Sequence, residues 1–161
     1  MKNVNSTVAA ELDFIPAFEG VLNGDLTAKY GYPVFIVTKS NLQYWTILGN
    51  GGAVAASDTN GNKHICVCRE LLDLWEDELE VILLHEKGHL HLNHHKEMVN
   101  ANKSRRIEME IEADEYAVRN HSKGITVGAA YLLRVLYTHD SEFFASSPDR
   151  ASSLLTYRYG L

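Results

Sequence analysis

An α+β domain is the fold class this sequence predicts, and two observations predict it. Strand-like stretches cluster between residues 33 and 69, and from Glu70 onward the pattern is helical to the end of the chain. The expected architecture is a small β-sheet packed on one central helix and followed by further helices. With 161 residues, of which 45% are hydrophobic and 22% charged, the chain suits one ordinary core, so residues 1–161 are read as a single domain.

The elements follow in order. Val8, Leu12, Ile15, Phe18 and Leu22 recur near every 3.6 residues, which suggests a helix over 7–23, interrupted at Pro16. "PVFIVTK", residues 33–39, is rich in β-branched residues and reads as a strand, and "YWTIL", residues 44–48, reads as another. After the turn signal "NGG", the stretches "AVAAS" and "KHICVCR" read as two strands joined by "DTNGN". The helical region opens with residues 70–95, where Leu79, Ile82, Leu83 and Leu90 lie on related faces. Glu76, Asp77 and Glu78 supply negative charge where a helix N-terminus favours it. Further helices are expected at about 105–120 and 125–138, separated by Gly124, with a short one after Pro148.

Composition removes several function classes. A net charge of −6, with Lys103-Ser104-Arg105-Arg106 as the one basic cluster, argues against a nucleic-acid partner. No apolar run approaches the roughly 20 residues needed to span a bilayer, and residues 1–14 lack a signal-peptide pattern. A cytoplasmic protein with no membrane span is therefore expected. Cys66 and Cys68, the only cysteines, would share a face of one strand, where packing is the expected role. The triplets Asn5-Ser6-Thr7 and Asn102-Lys103-Ser104 carry no meaning without a secretory route.

The chemistry concentrates in "VILLHEKGHLHLNHH", residues 81–95. His85-Glu86-Lys87-Gly88-His89 fits H-E-x-x-H, in which two histidines four apart on a helix converge on one Zn²⁺. Glu86, beside the first ligand, can act as general base toward an activated water. A third ligand is required, and two candidates compete. His95 stands ten residues after His85, as in the metzincin pattern, but Leu92 replaces the glycine that would turn the chain back. A continuous helix would carry His95 about 9 Å beyond His89, into solvent. The other candidate is "EMEIEADEYAVRN", residues 108–120, where Glu110, Asp114 and Ala117 share a helix face and Glu112 points elsewhere. Glu110 could supply a carboxylate oxygen to zinc, and Asp114 could accept the free ring N–H of a ligating histidine. Small Ala113 and Ala117 would admit close approach of the two helices. A solvated acidic face is the bland alternative for this segment taken alone; beside H-E-x-x-H the site reading is preferred.

Residues 51–95 followed by "EIEAD" resemble the peptidase M48 family of zinc metallopeptidases, the CAAX prenyl protease and HtpX-like enzymes. The resemblance covers roughly residues 33–120. It implies a zincin-type active-site helix, His85, His89 and Glu110 as zinc ligands, Glu86 as catalytic base, and Asp114 in support. His94 falls where family members often carry another histidine. The chain departs from the family in lacking transmembrane helices, in Lys87, and in "SSPDRASSLL", which resembles the family's "HP…R…L" segment only loosely, with no histidine and a shorter spacing, so the resemblance assigns Arg150 no role near the site. The "E-x-x-A" motif is also similar to the ImmA/IrrE family of regulatory metalloproteases.

The expected activity is zinc-dependent hydrolysis of a peptide bond in a peptide or protein substrate, laid as an added strand along Ala53-Val54-Ala55-Ala56. His139, Arg150 and Tyr157 are the candidates for the oxyanion donor. The rival from another class is a non-catalytic, zinc-stabilised binding module.

Overall fold

In the computed structural model, residues 20–58, 60–138 and 147–160 are described. Four strands form one mixed sheet: β1 (Val21–Leu22), β2 (Val34–Val37), β3 (Ala53–Ser57) and β4 (Lys63–Cys68). Their order is β1-β2-β4-β3, with β2 and β4 parallel and both outer pairs antiparallel. β4 is paired on both sides, and Ile65 to Cys68 are each 0% exposed, as expected of a central strand covered on both faces. Cys66 and Cys68 are free thiols within this packing, and burial pushes Cys68 up to about 12.

The helices among the described residues are α1 (Gly24–Tyr30), α2 (Tyr44–Gly49), α3 (Glu76–His91), α4 (His94–Glu97), α5 (Lys103–Asn120), α6 (Ile125–Thr138) and α7 (Ser147–Tyr159). A 3₁₀ turn at Arg69–Asp73 leads from β4 toward α3. The α+β expectation therefore holds, with differences in detail. The helix expected over 7–23 lies mostly outside the described residues, as does the Asn5 triplet. Its last residues, Val21 and Leu22, pair with β2 as a strand instead.

The strand expected at 44–48 is α2. Tyr44 and Ile47 are buried while Trp45 and Leu48 are exposed, so the apolar residues are used at a spacing of three, not two. A turn held by the Asn41 side chain, which accepts from the Thr38 N–H at 2.8 Å, redirects the chain before it can continue β2. The final helix is longer than the short one expected after Pro148.

Helix α3 is the structural centre. Ten of its 16 residues are buried, including the consecutive run Val81 to His85, so it is enclosed on several sides instead of presenting a single stripe. It packs against α5 and α6 on one side and against β3 and β4 on the other. Its N-terminal part is stapled to the turn after α5. Glu80 accepts hydrogen bonds from the Ser122 N–H at 2.6 Å and hydroxyl at 2.7 Å, and Lys123 pairs with Asp77 at 2.7 Å.

At its other end α3 stops at His91, and the chain reverses through Asn93, whose φ of 60° is the only positive φ at a non-glycine residue among those described. Asparagine tolerates this left-handed conformation better than other residues with a Cβ. The reversal starts α4 at once and folds His94 back toward α3. α5 in turn starts with Asn102 as its cap, the side chain accepting from the Arg105 N–H at 2.8 Å.

Asn93→Val forces a β-branched residue into the left-handed region and is expected to lower stability by about 1–3 kcal/mol in urea denaturation. Asn93→Gly is expected to unfold at close to the wild-type midpoint; equal loss in both would show that backbone conformation is not the constraint.

Candidate metal centre

Close approach of α3 and α5 builds the site. Gly88 faces Tyr116, and a Cβ on Gly88 would stand 3.0 Å from the Tyr116 Cβ. Ala113 and Ala117 are both 0% exposed along the same contact. The two alanines were the readable part of this arrangement; Gly88 sits in a variable position of H-E-x-x-H, and its packing role becomes visible only once α5 is in place.

The approach brings His85, His89 and Glu110 together. The Nε2 atoms of His85 and His89 are 3.1 Å apart. Glu110 Oε1 lies 3.4 Å from His85 Nε2, and Oε2 lies 2.9 Å from His89 Nε2. A tetrahedral zinc ion with bonds of about 2.0–2.1 Å separates its ligand atoms by roughly 3.3 Å, so the triangle is of the right size.

Proton placement gives an independent test of fit. His85 Nδ1 donates to Asp114 Oδ1 at 2.8 Å, which leaves the His85 Nε2 lone pair directed at the triangle. His89 Nδ1 faces His94 Nδ1 at 3.0 Å, and His94 Nε2 donates to Glu112 Oε1 at 2.8 Å. A carboxylate can only accept, so the proton of neutral His94 is on Nε2, its Nδ1 accepts, and His89 Nδ1 carries the hydrogen. The His89 Nε2 lone pair then also faces inward. Two lone pairs and a carboxylate that point at one small volume repel one another unless a cation sits between them. In the metal-free chain a proton on His85 Nε2, facing Glu110, takes the place of that cation. Burial disfavours charge on His85, but its hydrogen bonds to Asp114 and Glu110 outweigh that and push it up to about 10. Burial would raise Glu110, yet the nearby His89 and the hydrogen bond from His85 hold it well below the ordinary glutamate range.

Glu86 is half-buried beside this triangle. Its carboxyl is raised above the ordinary glutamate value, chiefly by burial and further by the charge of Glu110, against the pull of His85, His89 and Arg150.

Arg150 is the residue whose importance the sequence understated. It is 3% exposed, and from α7 it donates to both oxygens of Asp114, Nε to Oδ2 and Nη2 to Oδ1, each at 2.7 Å. Its Nη1 is also 3.6 Å from Glu110. Burial would raise Asp114, but the Arg150 guanidinium holds it below the usual aspartate value, so it stays an anionic acceptor for His85. Of the other oxyanion candidates, Tyr157 donates to Glu115, on a different face of α5 from Glu110 and Asp114, and His139 lies outside the described residues.

Two further expectations change. Glu112 does point away from the triangle, but it reaches the site indirectly through His94. His95 is not solvated: the reversal at Asn93 leaves it 6% exposed, with neither ring nitrogen hydrogen-bonded, and burial, reinforced by Lys63, lowers it to about 4. It is not among the residues brought together at the triangle. A second group, Asp77, Glu80 and His121, also meets, but its atoms are committed to the staple at the turn after α5, where His121 Nδ1 accepts the Lys123 N–H at 3.1 Å.

Removing Arg150 leaves Asp114 buried without its guanidinium. Arg150→Met is expected to cost about 3–5 kcal/mol in urea denaturation of the metal-free chain, while the surface change Arg158→Met should cost little. Asp114→Asn is expected to weaken metal binding about 10- to 100-fold, read by chelator competition; unchanged affinity would remove Asp114 from the support of His85.

Comparison with known proteins adds one finding. The profile of the peptidase U49 family matches residues 73–136, under half of the chain, from the end of the 3₁₀ turn through α3, α4, α5 and most of α6. In this stretch the chain is similar to a peptidase family, and the match does not extend to M48 in particular. No curated protein and no solved structure matches the chain. No helix among the described residues is long and apolar enough to cross a membrane.

Proposed function

We propose that the chain is a zinc-dependent metalloendopeptidase of the type that combines H-E-x-x-H with a downstream glutamate, built as a single minimal domain. The observation that carries the reading is the triangle of His85 Nε2, His89 Nε2 and Glu110, with both imidazole protons held on the far side of the rings. The similarity of residues 73–136 to a peptidase family supports hydrolysis of a peptide or protein substrate. Two nitrogens and one carboxylate oxygen suit zinc, and three protein ligands leave a position open, as in catalytic rather than structural sites. The resemblance of the "EIEAD" segment to M48 peptidases supports the same assignment of Glu110 and Asp114.

Zinc, when bound, supplies a Lewis acid that acidifies water and polarises a peptide carbonyl. Glu86 takes the proton of the attacking water on its carboxylate and returns it to the leaving amine. Its raised pKa suits both halves of that task. His85 and His89 are oriented through their Nδ1 hydrogens, and Arg150 keeps Asp114 ionised for the first of them. β3 is the outer strand of the sheet beside α3 among the described residues, and its edge over Ala53–Ser57 has small side chains against which an extended peptide could pair by main-chain hydrogen bonds.

Glu86→Gln is expected to retain about one zinc per chain by metal analysis while losing cleavage of an unstructured protein such as casein. Glu110→Ala is expected to lose the zinc. Undiminished cleavage by Glu86→Gln removes the glutamate mechanism, and a catalytically inert wild type with full zinc content would instead favour a zinc-stabilised binding module.

A further inference from the structure

We propose that His94 is a positioning residue for His89, itself oriented by Glu112 and by an arginine clamp made of Glu97, Arg105 and Glu112. This inference rests on the reading of His85, His89 and Glu110 as a metal site. It assigns a role to His94, Glu97 and Arg105, which lie outside the H-E-x-x-H and EIEAD motifs, and to Glu112, the second glutamate of EIEAD.

The two ligating histidines are supported in different ways. His85 is held by an aspartate, which can only accept. His89 is held by another imidazole, which can donate or accept at either nitrogen, so its tautomer must be set by something else. Glu112 sets it. Its Oε1 accepts from His94 Nε2 at 2.8 Å, which leaves His94 Nδ1 as the acceptor for the His89 Nδ1 hydrogen at 3.0 Å. His94 is 1% exposed and its ring contacts that of His89 edge-on, so the ring has little freedom to turn.

The clamp fixes Glu112 in turn. Arg105 Nη1 donates to Glu112 Oε2 at 3.0 Å, while its Nε and Nη2 donate to Glu97 at 2.5 and 3.1 Å. Glu97 and His94 lie on the same four-residue helix, α4, so one guanidinium ties both ends of that helix to α5. The clamp residues are each about a third or more exposed. Ion pairs so exposed contribute little to stability, and their value here is orientation. Asn93 completes the device by turning α4 back, so that His94 instead of His95 arrives at His89.

The test measures zinc affinity of the full chain by chelator competition for wild type, His94→Ala, His94→Asn and Glu112→Ala, together with proton NMR of the cobalt-loaded forms. His94→Ala is expected to bind zinc about 10- to 100-fold more weakly. Glu112→Ala, on a side chain that is 43% exposed and so tolerant of truncation, is expected to lose affinity in the same direction. In His94→Asn the introduced amide oxygen falls near the position of the histidine Nδ1, so this variant is expected to recover most of the loss. In the cobalt form, wild type is expected to show two exchangeable ring N–H signals, one of which is lost to solvent exchange in His94→Ala. Affinity within twofold of wild type in both His94→Ala and Glu112→Ala, or two protected signals in His94→Ala, overturns the proposal while leaving the metal site standing. A wild-type chain that binds no zinc overturns the metal reading and this proposal together.

Discussion

Helices α3 and α5 pack closely where Gly88 meets the Tyr116 side chain, and the contacts of His85 and His89 with Glu110 and Asp114 depend on that packing. Gly88 leaves room for Tyr116, and Ala113 and Ala117 are fully buried along the same seam. Only at this distance can a side chain as short as glutamate or aspartate reach an imidazole on the opposite helix. Glu110 spans to both histidines and Asp114 to one, at hydrogen-bonding or metal-ligand distances. A methyl group at Gly88 would press on Tyr116 at 3.0 Å, a tight contact in a close-packed interior.

The charges concentrated at this seam are not there for stability. Asp114 and Arg150 are 1% and 3% exposed, and the desolvation of such a pair offsets most of its Coulomb attraction. What the pair supplies is a fixed direction. Arg150 holds both oxygens of Asp114, and Asp114 then holds the proton of His85 on the far side of the ring. The opposite side of the centre reaches the same result with His94 and Glu112 close to the surface. His85 is oriented through a buried ion pair and His89 through a partly solvated one.

Much of this was readable in the sequence, for identifiable reasons. H-E-x-x-H and the spacing of Glu110, Asp114 and Ala117 obey the helix period, which is local information, and so the two helix faces could be written down before the fold was known. The strands at 53–57 and 63–68 were also local, being bounded by turn residues. What escaped was decided at long range or by single backbone angles. "YWTIL" has strand-like composition, but the core takes Tyr44 and Ile47 at helical spacing. The reversal at Asn93 required one residue in the left-handed region, and without it His94 and His95 could not be told apart. Arg150 could be named as a candidate, but its pairing with Asp114 carries no local signal, since the two lie 36 residues apart on different helices. Glu112 was correctly placed off the ligand face, and its partner could not be seen until α4 was known to fold back.

The remoteness of Arg150 bears on the order in which the centre is assembled. His85, Glu86, His89, Glu110 and Asp114 are all made before α7, as the chain is synthesised from its N-terminus. Until α7 docks, Asp114 has no guanidinium beside it and keeps only the hydrogen bond from His85 among the partners described above. On the proposed metal reading, the support of His85 is therefore complete only when the chain through α7 has been made and packed. A copy made only as far as α6 thus holds His85, Glu86, His89, Glu110 and Asp114 without the guanidinium that fixes both oxygens of Asp114.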